Sequence, residues 1–200
     1  MRRERNRGIL LIIVFSATLF AGCGFRSIPE SKNNVEASLA EMTNQYKRRA
    51  DLIPNLVNVV KGYAAHEATT LTQVVEARAK ATSTRIDPSN ASAAELQNFQ
   101  AAQSGLSQAL GRLMVVVEKY PDLKADRNFR ELQAQLEGTE NRITVARNRH
   151  IEAIKKFNNL VTVPPESWTN SLFYKHEKMD QWTVDEAEKK KNEEAPKVEF

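Results

Sequence analysis

Apolar residues recur along the first half of the chain at helical spacing. Val35, Leu39, Met42, Tyr46, Ile53, Leu56, Val60 and Tyr63 advance in alternating steps of four and three once Arg49 is counted as a polar member of the stripe. That spacing predicts one long amphipathic segment from about Ser31 to about Thr82. Pro54 falls inside it, where proline removes a backbone donor and crowds the carbonyl four residues back. Because the stripe keeps its phase across Pro54, a kink is favoured over a turn; a break into two helices, with Asp51 capping the second, is the alternative.

STRIDPSN supplies turn residues and Pro88, and the pair Ser92 and Glu95 has the spacing of a capping box. A second stripe follows in Leu96, Phe99, Leu106, Leu110, Leu113, Val117 and Tyr120, with Gln103 its only polar occupant, and Pro121 is expected to stop it. A third begins near Asp126 and carries Phe129, Leu132, Leu136, Ile143, Ala146, Ile154 and Phe157. No strand-like alternation of useful length interrupts these patterns. The expected fold is therefore all-α: an antiparallel up-and-down bundle of three long helices, four if the first breaks at Pro54, with coiled-coil-like packing. The bundle is placed at residues 33–160, after a linker at 23–32. An aromatic and proline-containing extension occupies 161–184, where Trp168, Leu172, Phe173 and Trp182 must cover the bundle or meet a partner, and a charged, disordered tail occupies 185–200.

Charge changes the picture only at the N-terminus. Of the formal net charge of +4, Arg2, Arg3, Arg5 and Arg7 against Glu4 supply +3, and from residue 23 onward 25 basic groups face 24 acidic ones. That balance removes the electrostatic case for nucleic-acid binding. The arginines precede a charge-free stretch from Gly8 to Gly22, whose fifteen residues span about 22 Å as helix, short of a hydrocarbon core of about 30 Å. Residues 1–22 thus read as a secretory signal or an N-terminal membrane anchor. Leu19-Phe20-Ala21-Gly22-Cys23 resembles the lipobox of bacterial lipoproteins, which makes Cys23, the only cysteine, a lipidation site. Gly24 follows in place of the aspartate of an inner-membrane retention signal. The expected location is extracytoplasmic and membrane-bound: the periplasmic face of the outer membrane if Cys23 is acylated, otherwise the inner membrane with the bundle outside the cytoplasm.

Three blocks, RRADLIPNLVNVVKGYAAHEATTL from Arg48 to Leu71, LGRLMVVVEKYPDLKADRNFRELQAQLEGTENRITVARNRH from Leu110 to His150, and FNN from Phe157 to Asn159, closely resemble the LemA family. The resemblance covers most of residues 35–160 in order. It implies a helical bundle on an N-terminal membrane anchor in bacteria, and it implies no reaction. His150 departs from it by standing where the family has tyrosine.

Candidate chemistry is sparse. His66-Glu67 begins like a zinc-protease motif, but position 70 is threonine, so the second ligand is missing. Only His66, His150 and His176 remain for a metal, and no glycine-rich loop could hold a phosphate. No catalytic residue, metal site or cofactor is expected. The blocks instead place together Arg48, Arg49, Asp51, Asn55, Glu140, Asn141, Arg147 and His150. Such a cluster is either a polar groove that recognises a partner or a buried network that fixes helix register, the commoner role in long bundles. Tyr120, Pro121 and Asp122 form a loop suited to helix capping and, if exposed at a tip, to docking. The expected function is that of a non-enzymatic envelope scaffold or adaptor, held to the membrane by its N-terminus and engaging a protein partner in the envelope. Its long stripes permit self-association. The alternative is a protein that binds a small ligand or an envelope polymer around Arg49 and Glu140; a third is an unrecognised hydrolase.

Overall fold

The computed structural model describes residues 25–89 and 91–180. Every regular element among them is helical: α1 Ser27–Tyr63, α2 Ala68–Ser83, α3 Ala93–Val117, the single turn α4 Pro121–Ala125, α5 Arg127–Thr162, α6 Glu166–Thr169, and a π-type turn over Asn170–Tyr174. The chain is an all-α helical bundle. Residues 1–22, Cys23, Asn90, Trp182 and the tail at 185–200 lie outside the described residues.

Hydrogen bonds between helices give their directions. Ser38 meets His150, Glu41 meets Arg149 and Arg49 meets Glu140, so α1 and α5 run in opposite directions. Glu67 meets Tyr120 and Ala81 meets Gln103, so α2 and α3 do the same. Tyr46 packs edge-on against Phe99 while Arg49 reaches Gln103, which sets α3 parallel to α1. α1 and α5, of 37 and 36 residues, are each about 55 Å long at about 1.5 Å per residue. The shorter α2 and α3 cover only the C-terminal part of α1. Over the rest of its length α1 packs on α5 and on residues 163–180, which close over that end.

The stripes lie where their spacing puts them apart from Tyr63, which is exposed at the end of α1. Val35, Leu39, Met42, Tyr46, Ile53, Leu56 and Val60 are buried, as are Phe129, Ile143, Ala146, Ile154 and Phe157 opposite them. The core forms three successive clusters. One surrounds Leu56, Leu106, Leu113 and Phe129, where all four long helices meet; one surrounds Met42, Phe99 and Ile143; the third, around Ile28, Ile154 and Phe157, lies beneath the C-terminal extension.

Several boundaries differ from those the sequence suggests. α1 continues through Pro54, as the unbroken stripe favours, but it ends at Tyr63, and the chain turns at Ala64–Glu67 before α2. Pro54 is tolerated because the carbonyl it deprives of a partner, that of Ala50, accepts a hydrogen bond from Arg78 Nε of α2 at 2.8 Å. Asp51 is consequently an exposed mid-helix residue and caps nothing. The expected linker is already helix from Ser27, with Ile28 and Ser31 buried. α3 ends at Val117, before Pro121, which instead occupies the first turn of α4. Two caps form as spaced: Ser92 and Glu95 make the reciprocal capping box of α3, and Asp126 starts α5 by accepting from the Phe129 amide at 2.8 Å.

Candidate functional site

The principal packed pairs are α1 with α5, α1 with α2, and α2 with α3. A ring of four helices has one further seam, between α3 and α5, and it is not closely packed. Into that space α1 sends Arg49, whose place in the apolar stripe forces its side chain inward; it is 3% exposed. An isolated buried cation would be strongly destabilising, so its charge must be compensated. Nη1 donates to Glu140 Oε2 and Ser107 Oγ, both at 2.9 Å. Nη2 donates to Gln103 Oε1 at 2.8 Å and to the Gln103 carbonyl at 3.2 Å. The guanidinium also lies 5.1 Å from the centre of the Tyr46 ring. Gln103 Nε2 in turn donates to the Ala81 carbonyl near the end of α2. One side chain thereby links α1, α3 and α5 directly and α2 through an amide. Nε of Arg49 is buried and has no hydrogen-bond partner.

Beside this network the seam opens into a cleft of about 380 Å³. Leu110, Gly111 and Met114 of α3 form one wall, Gln133, Leu136 and Glu137 of α5 the other, and Arg49, Ser107 and Glu140 its polar end. Glu140 stands at the mouth with half of its side chain exposed, so the ion pair has a dry partner and a wet one. A Cβ at Gly111 would meet no atom within 4 Å, which marks the open space in front of that residue. On the far side of the Arg49–Glu140 pair lies a polar niche of about 60 Å³ bordered by Tyr46, Gln100, Gln103 and Arg147. The volume and mainly apolar walls of the larger cleft lie in the range of sites that take a small ligand or an inserted side chain.

Of the eight residues grouped from the sequence, the structure joins two directly, Arg49 and Glu140. Arg147 comes next along the bundle, with Nη2 3.2 Å from the Tyr46 hydroxyl. His150 lies further along, buried, with Nδ1 2.9 Å from Ser38 Oγ. Burial lowers its pKa, opposed by a backbone hydrogen bond at Val35. Arg48, Asp51, Asn55 and Asn141 face solvent. They are one or two positions out of phase with the buried stripes, and a step of one residue turns a helix by about 100°. Gln103, Ser107 and Tyr46 complete the network and were not assigned to it from the sequence. Gln103 carried a signal, as the one polar residue in the α3 stripe, and Ser107 lies one turn beyond it.

Tyr120, Pro121 and Asp122 close the tip of the bundle. The Tyr120 hydroxyl donates to Glu67 at 3.2 Å, and its pKa is raised by burial and by that carboxylate. Nearby, the Tyr63 hydroxyl donates to Asp126 at 3.0 Å. Asp126 is held in its charged form mainly by the Phe129 amide. Among the described residues no three His, Cys, Asp or Glu side chains converge as a metal site. No described helix is long and apolar enough to cross a membrane.

Comparison with known proteins gives this architecture a family. The sequence model of the LemA family matches residues 38–200. The chain is also similar to two curated proteins of Paramagnetospirillum magneticum (strain ATCC 700264 / AMB-1), magnetosome proteins MamQ 1 and MamQ 2, each 24% identical over 174 residues. Those alignments cover 78% of this chain and 63% of each relative, so the chain spans less than two thirds of the relatives' length. The family match extends across the network residues, the cleft and the C-terminal extension, and the chain belongs to the LemA family.

Proposed function

We propose that this chain is a non-catalytic adaptor held at a membrane by its N-terminal segment, and that it engages another envelope protein through the cleft between α3 and α5. The cleft carries the reading: an apolar-walled opening on the loosest seam of the bundle, with a buried arginine at one end and a half-exposed glutamate at its mouth. Two helices flanking an apolar trough can receive an apolar side chain or a short helix of a partner. Family membership and the basic, then apolar, N-terminus support the membrane attachment. Arg49 is 22 residues along α1 from Ser27, which sets the cleft about 33 Å from the end where the N-terminal segment emerges.

The cleft volume also favours a second reading, a small apolar ligand with one polar group lodged against Ser107 and Arg49. Native mass spectrometry of the protein purified from host membranes separates the two, with Gly111→Leu as the cleft-filling variant. That substitution enters open space and replaces a helix-interior glycine, a change that favours the helix by up to about 1 kcal/mol. A second polypeptide bound to the wild type and absent from the variant supports the adaptor. A small retained mass lost in the variant supports the ligand reading, and identical spectra without bound species contradict both.

A further inference from the structure

Residues 163–174 partition their side chains in an inverted way. Thr169 and Asn170 are buried, while Trp168, Leu172 and Phe173 are 63%, 72% and 62% exposed. Their outward placement is built in. Asn170 grips the backbone of His176 through both ends of its amide, at 2.9 and 3.0 Å, and Asn158 of α5 grips Met179 in the same way, at 2.9 and 2.8 Å. An ordered segment that turns its polar residues in and its largest apolar residues out is shaped for an apolar surrounding.

The chain itself shows which surrounding. Phe25 joins this patch: its ring centre is 4.7 Å from that of Phe173, and its carbonyl accepts from the Tyr174 hydroxyl at 2.8 Å. Phe25 is two residues after Cys23 and three after the charge-free stretch that ends at Gly22. The segment read as the membrane tether therefore leaves the bundle within the aromatic patch. Arg26, with 92% of its side chain exposed, and the exposed Lys175 stand beside the same patch, as cations do at anionic headgroups.

We propose that this end of the bundle is a lipid seat: Phe25, Trp168, Leu172 and Phe173 enter the headgroup–acyl boundary of the membrane that holds the N-terminus and stand the bundle upright on it. Aromatic side chains favour that boundary, because an apolar ring can be buried there while polar edges stay hydrated. The proposal rests on reading residues 1–23 as the tether, and its test separates the two.

The probe is Trp168 fluorescence in the full-length chain carrying Trp182→Phe, which leaves a single indole. The chain is reconstituted into phosphatidylethanolamine–phosphatidylglycerol vesicles with and without brominated acyl chains. A seated indole about 5–10 Å below the headgroups should lose emission roughly twofold in the brominated vesicles and resist aqueous iodide. Adding Leu172→Glu and Phe173→Glu, both at exposed positions, should abolish that loss without changing the far-UV helical signal. A chain that floats with the vesicles while Trp168 stays open to iodide and untouched by bromine overturns the lipid seat and leaves the tether standing. Protection from both quenchers overturns it in favour of a second copy of the chain or of residues 181–200 covering the patch. A chain that does not float overturns tether and seat together.

Discussion

Arg49 and His150 are both polar residues at positions where the stripes call for apolar ones, and the bundle treats them differently. The Arg49 guanidinium meets two carbonyl-type oxygens, a hydroxyl and a carboxylate. His150 has a lowered pKa, chiefly because burial disfavours the imidazolium. A histidine whose pKa is lower folded than unfolded takes up protons on unfolding, so its contribution to stability is complete above its unfolded value of about 6.5 and declines as pH falls from there toward the folded pKa. His176, shifted the same way by burial and by Lys32, acts in the same direction. The melting temperature should therefore fall between pH 7 and pH 5, and His150→Gln, which keeps a neutral hydrogen-bonding group near Ser38, should flatten that slope without abolishing it. An unchanged slope in the variant would remove His150 from the account. At this scale the sequence was informative about position and about one partner, since the grouped Arg49 and Glu140 do pair. The stripe picked out Arg49 and Gln103, but four of the eight grouped residues lie one or two positions off the buried stripes and point to solvent, since a step of one residue turns a helix by about 100°.

Among the elements, the instructive case is α1. Periodicity identified a continuous apolar face and placed the weak point at Pro54, while the structure turns at Ala64–Glu67, a stretch of small and polar residues preceded by Gly62. The signal that would have decided the matter lies 24 residues after Pro54, in Arg78, and only the folded back-packing of α2 brings it to the Ala50 carbonyl. Arg78→Met should leave that buried carbonyl unpaired and destabilise the fold by about 1–3 kcal/mol in chemical denaturation. Combined with Pro54→Ala, which restores an intrahelical donor for the same carbonyl, it should lose less than the sum of the two single effects. Additivity would mean that the arginine does not compensate for the proline. Helix existence, stripes and both caps were legible because they are encoded within a turn or two; the break and the cleft were not, because they depend on how the helices meet.

For the whole molecule, unequal helix lengths explain the layout. α2 and α3 brace one part of the long α1–α5 pair and leave the open α3–α5 seam there, while the other end carries the aromatic extension and the origin of the N-terminal segment. The proposed adaptor is a binding cleft held at a fixed height above a membrane. Its most direct test is site-specific photo-crosslinking in the native host from Gln133, on the cleft wall, compared with Glu131, about 200° around α5 on the solvent side. A discrete protein adduct should form from position 133, be absent from position 131 and disappear when Gly111→Leu fills the cleft. Equal labelling from both positions, or an adduct from 133 that survives the filled cleft, would contradict it.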